Sequence, residues 1–352
     1  MRTFLTIVLC LVTGAVYAEP WRIHVPDTPF DYDGPGRVQQ YTPLTHAAKP
    51  WTMCVAYPHL KDSYWLSVNH GMVEEARRLG VGFRLIEAGG YPNLERQRQQ
   101  VRDCVDDGAD ALIVGTVSFD GLTETLKEIS QQIPVIAAVN DIADEGITAK
   151  VGVSWTEMGF VAGRSIAERH PYGTPTVRVA WFPGPEGAGW VRFVEDGFRR
   201  AVQDSAVEIA VTKYGDTGRE IQVLLVEEAL DEVPDLDYIV GAAPAAEAAV
   251  SVLRSRAQEG RTKIVSDYMT HAVHRGILRD KILFAPTDFP VLQGRMAIEF
   301  ATRAIEGSLI HRQAGPVIVP ITMENIGLEQ TRETLAPASF IPVFSLQPEL
   351  SE

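Results

Sequence analysis

The sequence predicts an α/β protein with two lobes, each a parallel sheet with helices on both faces. Three observations lead to this prediction. Ten apolar runs of strand length follow one another between residues 52 and 287, and segments with helical periodicity separate them. Near-continuous apolar strands that alternate with helices are typical of parallel sheets covered on both faces. The chain has 352 residues, which is enough for two domains, and ten strands are more than one such sheet usually holds. Two doubly wound lobes are therefore the simplest arrangement.

The first predicted element is a secretory signal peptide, residues 1–18. Arg2 supplies positive charge, residues 4–16 are mostly apolar, and Val16-Tyr17-Ala18 favours cleavage after Ala18. The apolar run is too short to cross a membrane, which needs about 20 residues. We therefore expect an exported protein. Removal of Arg2 leaves 31 basic against 46 acidic residues, a net charge of −15, and this acidity excludes nucleic acid and anionic membranes as partners.

The next segment, residues 19–50, is rich in proline and has little periodicity. It contains four aromatic residues, which is more than a disordered tail would hold: Trp21, Phe30, Tyr32 and Tyr41. We expect an ordered, extended arm that packs on the body of the protein.

The body follows as alternating strands and helices. The predicted strands are residues 52–57, 83–88, 111–115, 134–140, 150–155, 177–182, 208–214, 238–243, 263–268 and 282–287. The predicted helices are residues 65–80, 94–108, 121–132, 157–170, 190–205, 220–231, 245–258 and 291–307.

Two cysteines, Cys54 and Cys104, remain after signal cleavage. An even pair in an oxidising compartment favours a disulfide, and the alternative is a pair of buried thiols. Cys54 falls on the first strand of the body and Cys104 on the helix that leads to the third, so a bridge is feasible. Neither has a neighbour in a CxxC pattern, which argues against redox catalysis and against zinc.

Catalytic signatures are absent from the sequence. It has no phosphate-binding glycine pattern and no GxSxG nucleophile motif. His271 and His274 lack the partners of a metal site, and we interpret them as surface residues of a short helix. We therefore predict no enzyme activity, no catalytic residue, no metal and no cofactor.

Aromatic residues follow several of the predicted strands. In doubly wound sheets, ligands bind beyond the carboxyl ends of the strands, where these loops meet. Any one of these residues alone would suit a core or a surface position, but together they indicate a site. Such faces bind sugar rings by stacking or methylated ammonium groups by cation–π attraction. The predicted ligand-binding residues are Tyr64, Trp65, Tyr91, Trp155 and Tyr268.

From Trp51 to about Ser345 the chain resembles the type I periplasmic binding proteins of the ribose-binding group. The segment from Tyr64 to Gly80 is similar to their first loop and helix, and "IPVIAAVND" and "APTDFPVLQGRMAIEFATRAIEG" are similar to later segments. The resemblance implies a periplasmic location and a hinge of three crossings, near residues 153, 286–288 and 317–320. It implies one lobe of residues 51–153 plus 288–316 and another of residues 154–287 plus 317–345.

Within that family, the stretches "KPWTMCVAYPHLKDSYWLSVN", "LIEAGGYPN", "VGVSW", "AERHP" and "FAPTD" resemble a member that binds trimethylamine N-oxide (TMAO) and works with a sensor histidine kinase. The resemblance implies a TMAO box of Trp65, Tyr91, Trp155 and Tyr268, with Tyr64 alongside. It also implies the periplasmic domain of a membrane sensor kinase as partner. Ribose binders carry an Asp-Arg pair where this chain has Asn140-Asp141, which weakens a sugar assignment.

Two other functions compete with this interpretation. One is the binding component of an ABC uptake system for a sugar or a quaternary amine, which would have the same fold and cleft. The other is an exported hydrolase, which turnover of any bound ligand would reveal.

Overall fold

The computed structural model of the protein describes residues 19–31, 34–327 and 332–349; the predicted signal peptide lies outside the described residues. The strands are β1 Trp21–Pro26, β2 Gly36–Tyr41, β3 Thr52–Tyr57, β4 Gly82–Glu87, β5 Ala111–Val114, β6 Val135–Ala138, β7 Ala149–Val151, β8 Val177–Gly184, β9 Val207–Tyr214, β10 Tyr238–Gly241, β11 Lys263–Ser266, β12 Ala285–Thr287, β13 Gln313–Pro316, β14 Val319–Ile321 and β15 Ser345–Leu346. The helices are α1 Ser63–Leu79, α2 Leu94–Asp106, α3 Thr123–Ile129, α4 Trp155–Ala167, α5 Val191–Val202, α6 Arg219–Glu232, α7 Ala243–Ser255, α8 His271–Leu278 and α9 Pro290–Ile305.

The larger sheet has nine strands in the order β15-β4-β3-β5-β6-β7-β13-β1-β2. The strands from β4 to β13 pair in parallel, and β15, β1 and β2 add antiparallel strands at the two edges. The central strands are buried along their whole length, as their apolar runs predict.

The smaller sheet has four parallel strands in the order β11-β10-β8-β9. It contains strands of residues 177–266 only, so the chain builds it between two passes through the larger sheet. The short strands β12 and β14 form a separate antiparallel pair where the chain crosses back. The predicted crossings near residues 286–288 and 317–320 fall in or beside this pair.

The segment of residues 19–50 forms a hairpin, β1–β2, that the sequence analysis does not predict. β1 pairs with β13, and Ile23 lies opposite Pro316. Trp21 and Tyr41 stack at 5.7 Å between ring centroids and are both buried. The described residues of this segment are therefore ordered and packed on the body, but as added strands rather than as an extended arm; Tyr32 lies outside the described residues.

The helix pairs α1–α9 and α4–α5 approach closely through glycines. A Cβ at Gly71 would lie 1.8 Å from the Val291 carbonyl oxygen, and a Cβ at Gly197 would lie 1.8 Å from the Thr156 carbonyl oxygen. Only glycine permits this backbone approach. The first helix of each pair, α1 or α4, begins with aromatic residues of the predicted site.

Cys54 and Cys104 form a disulfide in the structure, with their Cα atoms 5.8 Å apart. It joins β3 to α2 inside the larger-sheet half and closes a loop with a sequence separation of 50. In the described part of the chain, no helix combines the length and apolar character needed to cross a membrane.

The lobe boundaries remain predictions, and the end of the chain differs from them in one respect. Residues of the tail that the prediction assigns to the second lobe return to the larger sheet: Ser345 pairs with Arg84 of β4, and the Val343 backbone bonds with the Asn69 side chain. The sequence offers no signal for a strand of two residues.

Candidate functional site

The carboxyl ends of the two sheets face each other, and the five predicted aromatic residues meet between them. They line one cavity together with four residues that the sequence analysis did not include in the site: Asp62, Asn140, Trp190 and Thr217. The cavity has a volume of about 20 Å³. This is little more than one water molecule needs, so the structure shows the site in a tightly closed state.

Tyr64 and Trp65 are held at the start of α1 by a helix cap. The Asp62 carboxylate accepts hydrogen bonds from the backbone N–H groups of Tyr64 (3.0 Å) and Trp65 (3.2 Å). The indole of Trp65 lies over Gly115, where a Cβ would come within 2.4 Å of the ring. The predicted helix began at Trp65, and the structure extends it to Ser63, so that both aromatics lie in its first turn, which fixes their direction more firmly.

Trp155 and Trp190 come from the side of the smaller sheet. Trp155 is the first residue of α4, which Ser154 caps by accepting a hydrogen bond from the Glu157 N–H. Its indole N–H donates to the Val139 carbonyl oxygen at 3.1 Å. Trp155 is therefore engaged through its polar edge, and only its ring face remains for a ligand. Its ring centroid lies 5.1 Å from that of Trp190.

Tyr268 connects the aromatic residues of the two sides. Its ring makes edge-to-face contacts with Tyr64 (5.4 Å), Trp155 (6.1 Å) and Trp190 (6.1 Å). These geometries match the favoured arrangement of aromatic quadrupoles. The result is a cage of aromatic residues rather than a flat stacking platform.

The Tyr91 hydroxyl is a second connecting point. It accepts hydrogen bonds from the Asn140 amide and from the Trp190 indole N–H, each at 3.2 Å. Burial raises the pKa of the Tyr91 hydroxyl, which stays protonated at neutral pH. Tyr91 therefore joins a residue that follows β6 of the larger sheet to one that follows β8 of the smaller sheet.

The electrostatic character of the cage is acidic. None of the described residues that line it is cationic, and Asp62 contributes a carboxyl whose pKa is raised by its poorly hydrated surroundings. Behind the aromatic rings, the Tyr64 hydroxyl donates to the Asp288 carboxylate at 2.6 Å. Burial also raises the pKa of the Tyr268 hydroxyl, and the nearby Asp62 charge raises it further. Aromatic faces beside carboxylates attract positive charge.

Of the four residues that the sequence analysis did not include, only Trp190 carries the same signal as those it found, an aromatic side chain beyond the end of a strand. Trp190 follows β8, and Thr217 follows β9, each a few residues beyond the carboxyl end of its strand. The sequence analysis places Trp190 in a predicted helix of residues 190–205, and Thr217 is not aromatic, so neither was included in the site. Within the described residues, no group of three or more histidine, cysteine, aspartate or glutamate side chains could hold a metal ion.

A family model described as periplasmic binding proteins and the sugar-binding domain of the LacI family matches residues 50–342. The chain belongs to the periplasmic binding protein family. The predicted fold class and the predicted periplasmic location are thereby confirmed. This is a family of binding proteins rather than of enzymes.

Relatives within the family include the periplasmic protein TorT of Escherichia coli K12, which is 39% identical over 88% of this chain and 89% of TorT. The predicted similarity to this member is confirmed. A crystal structure of a complex of the TorS sensor domain with TorT in the presence of TMAO matches with 42% identity and a TM-score of 0.77, over 84% of this chain and 100% of that chain.

A third relative is an ABC transporter solute-binding protein from a Bradyrhizobium species, solved with bound Bis-Tris. It is 45% identical with a TM-score of 0.80, over 92% of this chain and 98% of that chain. The chain is thus similar both to a periplasmic protein solved in complex with a sensor domain and to a solute-binding protein of a transporter.

Proposed function

We propose that this periplasmic binding protein senses TMAO in the aromatic cage and signals its presence to the periplasmic domain of a membrane sensor histidine kinase. One observation carries the proposal: the aromatic residues predicted from the strand ends converge on a single closed cavity. The similarity to TorT, whose complex with the TorS sensor domain has been solved with TMAO present, supports both the ligand and the partner.

The cage suits the methyl groups of TMAO. Its nitrogen carries a formal positive charge that is spread over three methyl groups, and aromatic faces attract such a group with about 0.5–2 kcal/mol per face. Trp65, Trp155, Tyr91 and Tyr268 supply these faces, with Tyr64 alongside. The Asp62 carboxyl adds negative potential on the same side.

The oxygen of TMAO needs a hydrogen-bond donor. Trp155 does not serve, because its N–H already bonds with Val139. The Tyr268 hydroxyl is the better candidate, because Tyr268 lines the cavity and burial raises the pKa of its hydroxyl, which stays protonated. A donor aimed at the oxide rejects trimethylamine, which would leave that donor unpaired.

Closure is the proposed signal. In this proposal the lobes are residues 51–153 plus 288–316 and residues 154–287 plus 317–345, and the ligand contacts both. A ligand that binds the closed form more tightly than the open form shifts the population toward closure. The kinase domain then recognises the closed shape, and the ligand is released chemically unchanged, since no catalytic step is involved.

Titration calorimetry of the purified mature protein tests this function. We expect heat with TMAO, no competition by ribose or glucose, weak competition by other methylated amines, and tighter TMAO binding in the presence of the kinase domain. Micromolar ribose binding without heat from TMAO would overturn the ligand assignment while leaving the fold intact.

A second candidate function is that of the binding component of an ABC uptake system for a sugar or a quaternary amine. The 45% identity to the Bradyrhizobium transporter protein favours it. A neighbouring gene for a permease, or association with a permease instead of a sensor kinase, would decide in its favour.

A further inference from the structure

Two loops meet across the cleft just outside the cage. One contains His59 and Lys61 and follows β3 of the larger sheet; the other contains Asp216 and Thr217 and follows β9 of the smaller sheet. The His59 Nε2 and the Thr217 hydroxyl lie 2.9 Å apart, and both residues are buried. The Lys61 ammonium and the Asp216 carboxylate form an ion pair at 3.3 Å.

The hydrogen bonds around His59 define its tautomer. The Lys61 backbone N–H donates to His59 Nδ1 at 3.2 Å, so Nδ1 is an acceptor. Nε2 therefore carries the proton and donates to the Thr217 oxygen. The Thr217 N–H in turn donates to Asp216 at 2.9 Å, which holds the acceptor in place.

This pair is linked to the cage without being a part of its aromatic wall. The His59 ring packs edge-on against Tyr91, with 5.5 Å between centroids and an interplanar angle of 75°. His59 is not among the residues that line the cavity, whereas Thr217 is. A substitution of His59 can therefore alter ligand affinity only by moving Tyr91 or by changing the distance between the two sheets.

We propose that His59 and Thr217 form an interlobe clasp, which stabilises the closed state and positions Tyr91 for ligand binding. We assign the stabilisation to the buried His59–Thr217 hydrogen bond, because an exposed ion pair such as Lys61–Asp216 contributes little to the stability of the closed state. The effect on ligand affinity rests on the proposed function; the effect on closure does not.

The first test measures closure without ligand. Spin labels at exposed positions of α2 and α6 report the distance between the two halves in the ligand-free protein. We expect His59→Leu and Thr217→Val to shift the distance distribution toward open forms. His59→Gln, which keeps a donor, and Thr217→Ser, which keeps the acceptor, should resemble the wild type. Lys61→Met, which removes the exposed ion pair, is the matched control and should also resemble it.

The second test measures TMAO binding by the same variants. His59→Leu and Thr217→Val should weaken it about ten-fold, which is about 1.4 kcal/mol, mainly through faster dissociation. His59→Gln, which keeps the hydrogen bond and lies outside the cavity lining, should stay within about two-fold.

Three results would overturn the clasp: unchanged distance distributions in both His59→Leu and Thr217→Val, equal opening by Thr217→Ser and Thr217→Val, or equal opening by Lys61→Met. If the wild type failed to bind TMAO, the proposed ligand would be wrong, and the distance measurements would still decide whether the clasp exists.

Discussion

At the scale of single residues, Trp155 is expected to act as a wall of the cage and not as a hydrogen-bond donor to the ligand. Trp155→Ala should weaken TMAO binding by about 1–2 kcal/mol or more, because it removes a desolvated aromatic face. Trp155→Phe should cost less, since a ring remains, although the Val139 carbonyl loses its donor. Calorimetry of both variants checks this, and an equal loss in the two would show that the indole N–H carries the binding.

Asp267 is expected to limit stability at neutral and alkaline pH. It is fully buried, and neither carboxylate oxygen has a hydrogen-bond partner among the described residues. Burial raises the pKa of the Asp267 carboxyl well above its usual range, and the nearby Asp288 charge raises it further. The folded protein therefore holds the proton at pH values where the unfolded chain, with a pKa of about 3.9, has released it. Stability from this group is present at low pH and is lost as the pH rises through the folded-state pKa.

Asp267→Asn removes that titration. We expect the melting temperature of the variant to exceed that of the wild type by more at pH 8 than at pH 5, as followed by circular dichroism. The exposed Asp106→Asn is the control and should show no such difference. A gain that is independent of pH would mean that the Asp267 carboxyl holds the same number of protons in the folded and unfolded states between pH 5 and pH 8, which would contradict a raised folded-state pKa.

At the scale of elements, the glycine contacts between helices set the position of the cage. α4 carries Trp155 at its first residue, and its spacing from α5 depends on Gly197, where a Cβ would collide with the Thr156 carbonyl. Gly197→Ala should lower the free energy of unfolding by more than 1 kcal/mol, because the added Cβ forces α4 and α5 apart and the side chains between them must repack. It should also weaken ligand binding.

Gly218→Ala is the matched control for this change. A Cβ at Gly218 meets nothing within 4 Å, and its φ of −73° suits any residue. Urea denaturation of both variants gives the comparison. Equal stability of the two would contradict the role of the close helix contact.

The hairpin β1–β2 is expected to be an integral part of the larger half. The Tyr41 hydroxyl donates to the buried Glu299 carboxylate at 3.0 Å, and the Leu44 N–H donates to the same oxygen at 2.9 Å. Tyr41→Phe should cost about 1–3 kcal/mol of stability, because it leaves a buried carboxylate with one donor fewer. Tyr172→Phe, at a residue that is 87% exposed, should change nothing.

Amide hydrogen exchange can locate the effect of Tyr41→Phe. Protection within residues 21–41 should fall, together with that of β13, their partner strand. Rapid exchange of the hairpin in the wild type would instead show an independent appendage.

At the scale of the whole molecule, a ligand that contacts both halves should stabilise them together. At a free TMAO concentration of one hundred times Kd, the gain is about 2.7 kcal/mol for a ligand that binds only the folded state. Calorimetric scans should show one transition that moves upward with TMAO and does not move with ribose. A shift of only one of two resolved transitions would contradict a shared site.

The architecture could be predicted from the sequence because buried parallel strands are continuous apolar runs. The position of the cage could be predicted because ligands of such sheets bind beyond the carboxyl ends of the strands. The hairpin was not predicted, although Trp21, Ile23 and Val25 alternate as a half-buried strand should. The polar edge strand β2 has no such pattern, and the prolines on either side suggested an irregular segment. Contacts across the cleft, such as His59 with Thr217, depend on how two sheets approach and leave no periodic signal.

The pairing of β1 with β13 has a consequence for how the protein is made. Ile23 lies beside Pro316, and β4 completes its pairing only with Ser345 and Leu346. A polypeptide that is threaded across a membrane with its amino end first cannot finish this sheet until nearly the last residue has emerged. At one edge β1 needs β13, and at the other β4 needs β15, so both edges form only when the carboxyl-terminal part of the chain is present. Contacts between residues so distant along the chain form slowly. The larger sheet of an exported chain can therefore be completed only after nearly the whole polypeptide has crossed.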